Sequence, residues 1–124
     1  IPPERYRENL TDLVELLYAD GVRDVVLSVP TLRHGEGLVI MRSNQLQYQY
    51  EIQIHTVVAA FDHVRLGVDF AHGTELEEAD FFDGVHPGAP GQEKMTLAFD
   101  SFYQEKKCPK KKKRKKKKRW FWFK

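Results

Sequence analysis

The chain is short of cysteine, serine and long apolar runs. Its single cysteine, Cys108, excludes an internal disulfide and any cysteine-based zinc cluster. No apolar stretch approaches the roughly 20 residues that span a bilayer. The opening Ile1-Pro2-Pro3-Glu4-Arg5 carries no secretory leader and no initiator methionine, so the chain is expected to be an internal piece of something longer. Basic residues are scarce over most of the length. Of the 20 lysines and arginines, 13 lie at 106–124, a stretch without an acidic residue. Residues 1–105 therefore hold 7 basic and 18 acidic side chains, a net of −11. That excludes a uniformly basic nucleic-acid-binding domain for the body. What is present suffices for one small domain in 124 residues. A hydrophobic content of 41% is enough to bury a core. The chain divides into an acidic body, 1–105, and a basic tail, 106–124.

Within the body, Tyr6, Leu10, Leu13, Val14 and Leu17 fall on one stripe of a 3.6-residue period and predict a helix over 3–19. Pro2-Pro3 suits its entrance and Asp20-Gly21 its stop. The β-branched run Asp24–Val29 predicts a strand buried on both faces, ended by Pro30. Residues 30–43 read as a loop, although Leu38–Met41 has the composition to pack locally. A second helix is expected from Ser43-Asn44, both good N-caps. Its core stripe is Leu46, Tyr50, Ile54, Val57, Val58 and Phe61, and its exposed side is Gln45, Gln47, Gln49, Glu51 and Gln53. His63–Phe70 predicts a second strand, 71–86 an acidic loop, and 90–103 a third helix with Met95, Phe99 and Phe102 on its apolar face.

The order α-β-α-β-α argues for an α/β protein with parallel strands. Two strands are too few for a parallel sheet, which needs several strands and both faces covered. The amino-terminal part of the fold is therefore expected to be missing, and the unpaired strand edges are expected to drive self-association.

The chemistry concentrates in Asp83-Gly84-Val85-His86-Pro87-Gly88-Ala89-Pro90-Gly91, after the last strand and opening the last helix. Ligand sites in open α/β sheets gather at the carboxyl ends of the strands. An Asp three residues before a His, with Gly between, can turn the chain so that both side chains point the same way. A carboxylate beside an imidazole sets its tautomer and supports its positive charge, which makes the His a competent general base toward a hydroxyl.

This segment resembles the last conserved block of the SGNH (GDSL-type) hydrolases, Asp-x-x-His, commonly Asp-Gly-x-His-Pro followed by a glycine that begins the terminal helix. Upstream, Tyr6…Asn9-Leu10, the strand Val25-Val26-Leu27-Ser28-Val29-Pro30 and the strand Val68-Asp69-Phe70 resemble the carboxy-terminal half of that family. The opening, Ile1 to Tyr6 with Asn9-Leu10, is similar to esterases of the isoamyl-acetate-hydrolysing branch. The resemblance covers about residues 1–105 and implies a three-layer, flavodoxin-like α/β/α sandwich that hydrolyses small esters through an acyl-serine. It implies His86 as the general base and Asp83 as its orienting acid, with no metal and no organic cofactor. The family's Gly-Asp-Ser nucleophile block and its oxyanion-hole Gly and Asn have no counterpart. The only serines are Ser28, Ser43 and Ser101, and none follows Gly-Asp. The chain alone is expected to be inactive.

Other residues read more plainly. His34, His55, His63 and His72 show no metal-ligand spacing and are expected to be structural or surface residues. His34 alone falls in the loop after the first strand, beside where a substrate pocket would lie. The acidic run Glu75, Glu77, Glu78, Asp80 and Asp83 matches no EF-hand loop and is expected to be solvated. The tail carries ten consecutive positive charges, 110–119, followed by Trp120-Phe121-Trp122-Phe123. Such a run repels itself and is expected to stay extended. An A-rich coding stretch read in frame gives the same string. A rival reading makes the chain a non-enzymatic module whose tail holds nucleic acid or an anionic membrane. Deleting 106–124 separates the two, because only the rival loses binding.

Overall fold

The computed structural model describes the backbone of residues 1–122 and the side chains through Glu105. The third helix runs past its expected end at 103, so the backbone of residues 106–122 is helical rather than extended as expected of the basic tail. The tail's side chains, on which the nucleic-acid and membrane reading rests, lie outside the described residues. Three helices and two strands follow in the order α1 (Pro3–Ala19), β1 (Val25–Val29), α2 (Leu38–Ala60), β2 (Val64–Asp69) and α3 (Ala89–Trp122), with a single 3₁₀ turn at Glu78–Asp80 before α3. The architecture is α/β. Among the described residues β1 and β2 pair only with each other, in parallel, with Val25 opposite Val64 and Leu27 opposite Leu66.

Helix α1 has Pro3 in its first turn, where the missing N–H costs nothing. It ends at Asp20, with Gly21 at φ 97°. Its stripe packs on α2 and the sheet except at Leu13, which is 50% exposed. Val14 is fully buried with Val25, Val57 and Val64, and Leu10, Leu17, Leu27, Val58 and Phe61 close around them. Near the entrance of α1, the Tyr6 and Tyr50 rings lie 4.6 Å apart. Arg65, one residue out of phase with Val64, faces the other side of the sheet. There its guanidinium carbon lies 5.7 Å from the ring centre of Phe102 in α3. Arg65 also makes a bidentate pair with Asp24, at 2.7 and 2.8 Å.

Three further expectations are corrected. Helix α2 begins at Leu38, not at Ser43-Asn44, so the loop after β1 is shorter than expected. Gly37 holds φ 110°, a conformation that admits few other residues, and its carbonyl accepts the first helical bond from Met41 N at 3.1 Å. Asn44 does not cap a helix. Its side chain brackets the backbone of Arg33, accepting from N at 2.9 Å and donating to O at 3.0 Å. The second correction concerns the faces of α2. Glu51 is buried, Gln47 and Gln53 are half-buried, and Leu46 is 42% exposed. The third concerns the strands, which are buried at Val25, Val29, Val64 and Val68 but only half-buried between those positions and at Asp69. Neither strand is covered on both faces along its whole length.

Candidate functional site

Both strands run the same way, so the segments that leave Val29 and Asp69 emerge at one edge of the sheet. Phe70 N donates to Val29 O at 2.9 Å and ties the two strand ends together. The segment after β2 then folds back as a pinched turn. Phe81 and Pro87 form an antiparallel bridge, and Phe82 N donates to His86 O at 3.2 Å. Residues 83–86 form the tip.

The turn is anchored on two sides. On one side it meets the loop after β1. His34 N donates to Gly84 O at 2.8 Å, and the His34 ring stacks on Phe81 at 4.5 Å between centroids. On the other side it is tied to α3 through Asp80, which is buried. One Asp80 oxygen accepts from Glu77 N and from Lys94 Nζ, each at 2.8 Å, and the Asp80 carbonyl accepts from Gly88 N at 2.8 Å. The Glu77 N–H bond, and after it Lys94, holds the Asp80 carboxyl below the usual carboxylate range. Asp80 thus departs from the expected solvated loop. Sequence reasoning missed this pair because its partners are separated by the whole turn; the capping-box spacing Glu77-x-x-Asp80 was the available signal.

Within the tip, the Asp83 carboxylate is a local hub. One oxygen accepts from His86 N at 2.6 Å and from Val85 N at 2.9 Å, and the other lies 2.5 Å from His86 Nδ1. These contacts draw the Asp83 carboxyl down to about 2, the His86 backbone bond contributing most, then the His86 ring and the Val85 N–H. An ionised carboxylate can only accept, so Nδ1 must be the protonated ring nitrogen. That leaves the lone pair of the neutral ring on Nε2. The His86 side chain is 67% exposed, with its ring stacked against Phe82. The arrangement is an accessible imidazole base oriented by a carboxylate.

No family model, curated protein or solved structure matches this chain.

The geometry brings together the two candidate residues, Asp83 and His86, and places His34 next to them. It brings no serine. Ser28 is half-buried in β1 with Oγ against Gly67, Ser43 is half-buried in α2, and Ser101 is exposed on α3. Among the described residues the ring of His86 hydrogen-bonds only Asp83. Two open grooves lie elsewhere. One, about 660 Å³, sits at the amino end of the strands between Tyr18, Phe61 and His63. The other, about 620 Å³, lies along α2 beside Leu32 and His72. Neither is lined by Asp83 or His86.

A pH prediction follows from the Asp83 contacts. The folded chain favours ionised Asp83, because its folded value of about 2 lies below the ordinary value near 3.9. The contribution is therefore fully present above roughly pH 4 and is lost as pH falls through about 2. A carboxyl-carbon NMR titration should find the Asp83 midpoint well below the ordinary aspartate value of about 3.9. A midpoint at that ordinary value would contradict the hub.

Proposed function

We infer that this chain is the carboxy-terminal portion of an SGNH-type ester hydrolase with a three-layer α/β/α domain. In this reading His86 is the general base, Asp83 its orienting acid, and the substrate a small ester. The reading rests on one observation above the others: an exposed imidazole whose Nδ1 is held 2.5 Å from an ionised carboxylate, at the edge where both parallel strands end. Helices against both faces of the sheet are consistent with the layered arrangement.

The chemistry assigns each residue a separate task. Asp83 keeps the proton on Nδ1 and stabilises the imidazolium that forms when Nε2 accepts a proton from a hydroxyl. The Gly84 turn keeps the two side chains on one side of the chain. The nucleophilic hydroxyl is the part that the described residues do not bring to His86. Losing a triad nucleophile costs about 10⁶-fold in turnover. Losing an oxyanion donor costs roughly 10²–10³ more where the steps are independent.

The purified chain is therefore expected to hydrolyse p-nitrophenyl acetate no faster than an equal concentration of free imidazole. Turnover well above that level, abolished by His86→Ala, would place a nucleophile within these residues and overturn the division of labour. Nitrogen NMR of the His86 ring tests the base itself. The wild-type ring should carry its proton on Nδ1, and Asp83→Ala should release that preference. The coding DNA 5′ of Ile1 tests the family: an in-frame Gly-Asp-Ser block supports it, and its absence counts against it.

A further inference from the structure

The outward side of α2 carries an apolar stripe, flanked by the exposed Arg42, Gln49 and Thr56. At 100° per residue, Leu38, Met41, Gln45, Tyr48 and Ile52 lie on the side of the helix opposite the core residues Ile54 and Val58. The four apolar members are 67%, 57%, 60% and 47% exposed, and Gln45 is exposed at their centre. Their spacing of three, four, three and four residues is the repeat that two helices present to one another along a coiled-coil seam. The stripe is roughly 21 Å long at 1.5 Å per residue.

We propose that this face is a homodimer seam, in which α2 of one copy packs antiparallel on α2 of a second copy about a two-fold axis near Gln45. Two observations select a second copy. The first is the near-palindrome of the stripe. Two-fold symmetry makes a surface meet itself, and reversing this one about Gln45 sets Leu38 against Ile52, Met41 against Tyr48, and Gln45 against its own equivalent. Apolar side chains then meet apolar ones, and the two central amides, each both donor and acceptor, meet each other. The second is charge. Residues 1–105 have a net of −11 within a chain of net +2, so two bodies that meet elsewhere bring acid against acid. Over its 23 residues, α2 carries two formally charged side chains, Arg42 and Glu51, and Glu51 is buried. Along this helix two copies can meet without acid facing acid. By contrast, α1 carries Glu4, Glu8, Asp12 and Glu15. The groove of about 620 Å³ flanking the stripe at Met41 and Tyr48 provides space for the partner's side chains.

This seam is distinct from association through open strand edges, and the test separates them. The full chain with Cys108→Ser is run by sedimentation equilibrium over a range of concentrations. Twice the 14.5 kDa chain mass is expected. Tyr48→Glu with Ile52→Glu should return the 14.5 kDa species, its circular dichroism unchanged because both side chains are exposed in the single copy. Gln45→Cys in the same Cys108→Ser background should form a disulfide-linked dimer under mild oxidation at least ten-fold faster than Glu8→Cys on α1. A chain that stays single at every concentration overturns the proposal. So does an assembly that survives the double glutamate substitution, which would point to the strand edges. Equal cross-linking rates at positions 45 and 8 would also overturn it.

Discussion

Gly84→Ala is expected to destabilise the chain by about 2–3 kcal/mol and to uncouple the Asp83–His86 tip from the rest of the fold. Two costs combine at this position. Gly84 holds φ 80°, where a side chain bears a strain of roughly 1–3 kcal/mol. The space is also taken, because a Cβ there would lie 2.3 Å from the His34 carbonyl oxygen, well inside van der Waals contact. That oxygen is backbone, and its neighbour His34 N is already bonded to Gly84 O at 2.8 Å. Neither strand loop can yield without breaking the link between them. At roughly 4–8 °C per kcal/mol for a domain of this size, the midpoint should fall by about 10 °C or more. The diagnostic readout is local. His34 and Phe81 ring resonances should shift toward exposed values, and the Asp83–His86 contact, which spans Gly84, should loosen with them. A midpoint within about 2 °C of wild type would mean the two loops are not packed as described.

The same turn marks how far the sequence could be read. Asp83-Gly84-Val85-His86 was legible because its chemistry is local: a short carboxylate, a glycine that permits the reversal and an imidazole three residues on. The element order was legible for a similar reason, since each helix and strand announces itself by its own period and by Pro2, Gly21 and Pro30 at the boundaries. The docking of Gly84 on His34 was not legible. It joins backbone atoms of residues distant in the sequence and leaves no pattern in side-chain type. Asp80 with Lys94 was hidden in the same way, as a buried ion pair within what reads as an acidic surface loop.

The phase of α2 shows a different failure. The expected polar side, Gln45, Gln47, Gln49, Glu51 and Gln53, advances by two residues at a time. On a helix two residues subtend about 200°, so those five positions cannot share one face. Packing resolves the conflict by burying Glu51 and exposing Tyr48 and Ile52. Glu51 then needs a partner, and His72 Nε2 lies 3.3 Å from one of its oxygens. The physical constraint that corrects the reading was present in the numbering, in the spacing itself.

The other large effect is expected at Val57. The core among the described residues is small and made chiefly of valine, and their largest fully buried side chains are Val14, Val29 and Val57. Val57 stands where α1, α2 and both strands converge, against Val14, Val25 and Val64. Val57→Ala removes two methyl-sized groups, about 0.8 kcal/mol each in transfer. The space left behind is walled by β-branched side chains that cannot swing in to fill it, so a cavity cost adds to the transfer loss. A total of about 2–3 kcal/mol is expected. Small domains are stable by only about 5–15 kcal/mol, so this is a substantial fraction. Leu46→Ala supplies the contrast. The apolar period places Leu46 on the same buried stripe as Val57, yet it is 42% exposed, and its truncation should cost no more than roughly 0.5 kcal/mol. Urea unfolding of both variants, at concentrations low enough to keep the chain single, decides between the two views of α2. A large loss at Val57 with little at Leu46 follows from the packed structure, whereas comparable losses at both would mean that the helix is rotated toward the face its apolar period alone would select.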